Sequence, residues 1–205
     1  YEISMARFAN VAFSDGSLLH GMRNRLHKRQ PISAPTDIKR YFITSSEAGE
    51  LCLLSGILGH NRDIFFPKLD DKLHLISFSE IATKFIRSQG YEPYLCETEQ
   101  EARDRVADLI KDKRWPCYFF ESDTTGEKSF EEFYTDNEVL DMDTLKNVGI
   151  IKNALKYDGE KLDLFLEGVE YFSKIGTWDR QDLIGLVAEC LPDFRHMEKG
   201  KHLGQ

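Results

Sequence analysis

Short apolar runs alternate with longer stretches in which apolar residues recur every three or four positions, and this alternation organises most of the chain. Glu2 to Ala9 reads as a strand that passes through Asn10 and turns at Ser14-Asp15-Gly16-Ser17. Leu18, Leu19, Met22 and Leu26 follow at helical spacing, which predicts a helix over Ser17 to Gln30 stopping before Pro31. Pro31 to Thr36 reads as a loop, and Arg40-Tyr41-Phe42-Ile43 as a short strand. Thr44-x-x-Glu47 has the form of a capping box and opens a helix to about Leu58, with Gly59-His60-Asn61 as its stop. Asp63 to Pro67 is an apolar strand. Ser77-x-x-Glu80 opens a helix striped by Phe78, Ile81, Phe85 and Ile86 and closed by Gly90. Pro93 to Cys96 reads as a strand, Thr98-x-x-Glu101 as the start of a charged helix to about Lys113, and Pro116 to Glu121 as a dense apolar strand. Helices of one capping type between short strands predict an α/β architecture.

After Glu121 the rhythm changes. Ser122 to Lys128 is polar and turn-rich, as expected of a loop at the C-terminal end of a strand, where α/β sheets gather ligands. A short helix is expected around Phe130 to Tyr134, then an acidic stretch over Asp136 to Asp143. Gly149 to Lys161 reads as a boundary. Leu162 to Ile175 and Asp179 to Cys190 form a helical pair, with Asp179 as N-cap. Arg195 to Gln205 is charged and is expected to fray.

Composition narrows the class without deciding it. With 205 residues, the chain has room for one sizeable core or two small ones. A formal charge of −8 argues against non-specific binding to nucleic acid or to anionic membranes. No apolar run approaches the roughly 18 residues of a membrane span, and no signal peptide is visible. Cys52, Cys96, Cys117 and Cys190 lack C-x-x-C spacing and sit among apolar neighbours, which predicts reduced core thiols and a cytoplasmic location. None of the six histidines has a Ser or Cys in triad context, so neither a nucleophilic triad nor a zinc cluster is expected.

A strand running into a Gly-Ser turn and then a helix points backbone N–H groups at whatever lies above the turn, a seat that suits phosphate. The same pattern also describes an ordinary connection in which Gly16 merely relieves the turn. Arg23, Arg25, His27, Lys28 and Arg29 fit either a phosphate contact or a solvated helix face.

Four stretches in order tip this balance. Arg7-Phe8-Ala9-Asn10-Val11 with Ser14-Asp15-Gly16-Ser17 resembles the R-[FY]-x-N-V…S-x-G-S segment of nucleotide-sugar 4,6-dehydratases, the polysaccharide-biosynthesis branch of the extended short-chain dehydrogenase/reductases. Asp37 to Thr44, Asp63 to Lys68, and Thr124-Thr125-Gly126-Glu127-Lys128 before Phe130-Glu131-Glu132 resemble the same family. The resemblance implies the last strands of a Rossmann-like dinucleotide domain (1–67), a smaller substrate-binding domain (68–148) and a helical C-terminal extension (149–205). It implies substrate contacts from Asn10, Gly16, Ser17, Arg40 and Glu127, and backbone near an NAD or NADP nicotinamide at Phe8 and Ala9. The implied substrate is a UDP-N-acetylhexosamine: C4 is oxidised, water is lost across C5–C6, and hydride returns to C6. The full-length enzyme is expected to form a homo-oligomer.

The chain also departs from the family pattern. It has no Gly-rich fingerprint and no Tyr-x-x-x-Lys pair, and it begins at Tyr1, so the expectation is a C-terminal portion with no catalytic residue of its own. Asp15 stands where relatives have Arg, His20 where they have Pro, and Thr124 where an Arg grips diphosphate. Two other readings use the same parts: an epimerase of the same superfamily, and a non-catalytic binding or assembly module.

Overall fold

The computed structural model describes residues 1–68, 75–128, 130–152 and 158–198. In chain order the first elements are β1 (Met5–Ala6), β2 (Asn10–Val11), α1 (Leu18–His27), β3 (Ile32–Pro35), β4 (Lys39–Arg40) and β5 (Phe42–Ile43). Then come α2 (Ser45–Leu58), β6 (Asp63–Pro67), β7 (Ile76–Ser77), α3 (Phe78–Ser88), β8 (Glu92–Leu95), α4 (Glu99–Asp104), α5 (Val106–Lys111) and β9 (Arg114–Phe120). The last are β10 (Leu140–Asp141), β11 (Val148–Lys152), α6 (Gly159–Ile175) and α7 (Arg180–Cys190). The fold is α/β, with the mixed sheets of a partial Rossmann-like domain.

The chain divides into two compact units, Tyr1–Ser122 with Glu127–Asn153, and Asp123–Gly126 with Ala154–Gln205. In the first, a four-stranded sheet has the order β1-β6-β11-β10. Strand β1 runs parallel to β6, and β11 is antiparallel to both β6 and β10. A parallel sheet has the order β3-β9-β8, while β2 pairs with β5 and β4 with β7. Strand β6 is apolar on both sides because both its faces are covered. Phe65 packs with Leu51 of α2 and Ile150, while Phe66 packs with Tyr41, Phe133 and Ile151. A third cluster joins Leu19 and Met22 of α1, Phe85 and Ile86 of α3, and Ile32, Trp115 and Cys117 of the parallel sheet.

Helix starts follow the sequence closely. Thr44 and Glu47 form the reciprocal box, and Ser77 and Thr98 each accept the N–H three residues on. The differences have physical causes. The charged helix breaks into α4 and α5 at Arg105. Pro31 to Thr36 is not loop throughout: β3 is an edge strand, where Pro35 lacks no needed donor, and Ile32 and Ala34 alternate inward. The strand expected over Arg40 to Ile43 splits at Tyr41, whose ring enters the core, and its halves pair in different sheets. The expected helix at Phe130 to Tyr134 is absent: the segment is irregular, with Phe133 buried, Glu131 half-buried and Glu132 exposed. The boundary expected over Gly149 to Lys161 begins within β11, an interior strand flanked by β6 and β10, and the division between the two units, Asn153 against Ala154, falls inside that range. Of the four free cysteines, Cys96 and Cys117 are buried, but Cys52 is exposed on the outer side of α2. His74, expected from the sequence to be a surface or rim residue, and most of the charged tail lie outside the described residues.

In the second unit Asp158 and Asp179 cap α6 and α7, and Gly168 lets α7 approach so closely that a Cβ there would lie 2.5 Å from Leu186 Cδ1. Neither helix buries a residue.

Candidate functional site

Three of the expected residues come together in the first unit. Asn10 opens β2, Arg40 ends β4, and Glu127 resumes the first unit after the 123–126 excursion. The Arg40 guanidinium lies 4.0 Å from a Glu127 oxygen and stacks over Phe78 with its carbon 5.7 Å from the ring centroid. Both partners are nearly enclosed, with side chains 15 and 16% exposed. The Ser122 hydroxyl donates to Glu127 at 2.7 Å, and Asp37 accepts the Ser122 N–H at 2.8 Å. Arg40 therefore pairs with Glu127, not with Asp37 or Glu47, which serve Ser122 and the α2 cap.

The sequence reading missed the residue at the centre of this group. Glu131 accepts from Asn10 Nδ2 at 2.8 Å. Burial raises the Glu131 carboxyl above its usual range, against the pull of the Arg40 charge, the Tyr41 backbone N–H and the Asn10 amide. The available signal was the inward alternation of Glu131 and Phe133, masked by the helix expected there. Tyr41 and Phe133 pack beneath at 5.7 Å between centroids, and burial followed by the Glu131 charge raises the Tyr41 phenol. Arg7 is a holder too. Its guanidinium donates to the Phe133 carbonyl at 2.5 Å and lies 3.6 Å from Glu138. The RFANV stretch thus grips the segment after the 123–126 loop at two points.

Gly16 and Ser17 lie in consecutive tight turns between β2 and α1, where Gly16 has φ 72° and a Cβ would meet nothing within 4 Å. The Ser17 hydroxyl caps α1 by accepting the His20 N–H at 3.3 Å. Asp15 and His20, two of the three substitutions against the family pattern, face each other at 3.5 Å. Phe13, in the same connection, holds a left-handed φ of 60° that an aromatic residue rarely adopts. Lys128, the cation of the loop that has Thr124 in place of the family's Arg, pairs with Glu132 at 2.8 Å. Ala9 is buried in the core and Phe8 is 40% exposed. A separate cavity of about 560 Å³ lies by Arg29, Arg103 and Ile110. Among the described residues no group of His, Cys, Asp and Glu is placed to hold a metal, and no helix is long and apolar enough to cross a membrane.

Residues 1–153 match the family described as Polysaccharide biosynthesis protein. The chain belongs to that family. The probable polysaccharide biosynthesis protein EpsC of Bacillus subtilis (strain 168) is 28% identical over 134 residues, covering 65% of this chain and 19% of EpsC. The chain thus spans about a fifth of that relative's length. The X-ray structure of Pen from Bacillus thuringiensis superposes with a TM-score of 0.55 at 22% identity, covering 76% of this chain and 41% of that one, a likeness of fold. Every residue of the Asn10, Arg40, Glu127 and Glu131 group falls inside the span matched by the polysaccharide-biosynthesis family.

Proposed function

We propose that this chain is the substrate-binding portion of a nucleotide-sugar 4,6-dehydratase acting on a UDP-N-acetylhexosamine. The observation that carries this reading is the convergence of Asn10, Arg40 and Glu127, which come from three separate family stretches. Glu127, held by Ser122 and Arg40, presents a carboxylate suited to paired ribose hydroxyls, and Asn10 faces the rest of the ligand. The Ser17 N–H is held by the Ser14 carbonyl, so the N–H groups suited to phosphate are those of the first turn of α1 that follows, with His20 set against Asp15 beside them.

NAD or NADP supplies the redox chemistry in such enzymes. The family resemblance puts the backbone of Phe8 and Ala9 near the nicotinamide; the Ala9 side chain is buried in the core and the Phe8 ring is 40% exposed. No chemical step is assigned to these residues, and the purified chain is expected to show no turnover.

The test is calorimetry with UDP-N-acetylglucosamine. Glu127→Ala and Asn10→Ala each remove a hydrogen bond to a polar or charged group, a loss of about 1.5–3 kcal/mol or roughly ten- to hundredfold in affinity. Unchanged binding by both variants would overturn the site.

A further inference from the structure

The Asn10 amide is fully committed on its nitrogen side. Nδ2 donates to Glu131 at 2.8 Å and to the Tyr41 carbonyl at 3.3 Å, and a primary amide has only two N–H bonds. Turning the amide over would place Oδ1 against a carboxylate and a carbonyl, two acceptors, so the hydrogen-bond network itself dictates the orientation. Oδ1 has no hydrogen-bond partner among the described residues. No fully buried side-chain nitrogen or oxygen among them lacks a partner, so Oδ1 keeps open surface. Beside this amide stands the Glu131 carboxylate, on which the Arg40 guanidinium acts in turn. A phosphate at this point would meet an acceptor oxygen beside a carboxyl group.

We propose that Glu131 is a positioning residue that locks Asn10 with only Oδ1 toward the ligand, making this position a reader of hydrogen-bond donors, sugar hydroxyls or an amide N–H, and not a holder of phosphate. The lock is a property of the chain; the identity of the ligand rests on the nucleotide-sugar reading.

A charge-neutral swap tests it. Asn10→Asp alone sets two carboxylates side by side. Asn10→Asp with Glu131→Gln restores a donor–acceptor pair at unchanged net charge and still presents an oxygen to the ligand, while the longer bond to Tyr41 is replaced by a carboxylate oxygen facing the Tyr41 carbonyl, which caps the recovery. By calorimetry with UDP-N-acetylglucosamine, Asn10→Asp is expected to bind roughly tenfold or more weakly than wild type, with the double variant recovering most of that loss. A double variant as weak as Asn10→Asp would mean that Asn10 donates to the ligand, and would overturn the proposal.

The lock has its own readout in the Asn10 side-chain amide signals of the ¹⁵N-labelled chain, assigned by their loss in Asn10→Asp. They are expected to shift with pH as Glu131 titrates, to lose that shift in Glu131→Gln, and to approach free-amide positions in Glu131→Ala. Signals at free-amide positions in wild type would overturn the lock. If wild type binds no UDP-N-acetylglucosamine, the nucleotide-sugar reading fails and the donor-reading half of the proposal falls with it, while the amide titration still decides the lock.

Discussion

Burial raises the Glu131 carboxyl, and the sign of its effect on stability follows from that direction. An acid whose folded value exceeds its unfolded one binds its proton more tightly when folded. Its contribution is fully present below the unfolded value, near 4.5, and is lost as pH rises through the folded value. Wild type is therefore expected to lose stability relative to Glu131→Gln as pH rises from roughly 4 towards 7, read from urea midpoints. A gap between the two that does not move with pH would mean that Glu131 is solvated in the folded state. At this scale the sequence singled out Asn10, Arg40 and Glu127 from family stretches, and the structure brings the three together. Glu131 escaped because its inward direction depends on Phe133 docking against Tyr41 and Phe66, contacts from distant parts of the chain.

Between elements, the pairing of β6 with β11 supports the site from below. Gly149 stands opposite Phe66, whose ring covers it so closely that a Cβ would lie 2.3 Å from the ring. The same ring contacts Phe133 and Tyr134, the aromatic neighbours of Glu131. Gly149→Ala must push Phe66 aside, and overpacking of this kind costs about 1–3 kcal/mol. A lowered urea midpoint with an unchanged slope is the expected result, while an unaltered midpoint would show that the ring moves without strain. Helix α2 shows how far periodicity reaches at this scale. Leu51 and Leu53 look alike in the sequence, yet Leu51 packs on Phe65 while Leu53 is exposed, on a helix apolar on nearly every side.

Over the whole molecule, the two units differ in what holds them. The first has covered sheets and three apolar clusters. In the second, α6 and α7 bury no residue, and Leu164, Leu166, Tyr171 and Trp178 are exposed. Opening free energy follows buried apolar contact, so amides of α6 and α7 are expected to exchange well before those of β6, β9 and β11. Hydrogen exchange read by mass spectrometry checks this. Equal protection in both sets would show that α6 and α7 are stabilised by contacts other than burial within their own unit.

The sequence alone determined what is local. Helix starts follow from a Ser, Thr or Asp side chain satisfying N–H groups three residues away, and strands β6 and β9 follow from dense apolar runs. Family membership was legible because the family stretches are themselves contiguous. What only the tertiary structure decided is non-local: that β3 and β11 are strands, that Tyr41 divides β4 from β5, and that the segment at Glu131 is not a helix. Such short segments lack the length to fix a conformation alone, and their form is set by the partner strand or core that receives them. The same dependence brings Asn10 to Glu131, 121 residues apart in the chain and 2.8 Å apart in space.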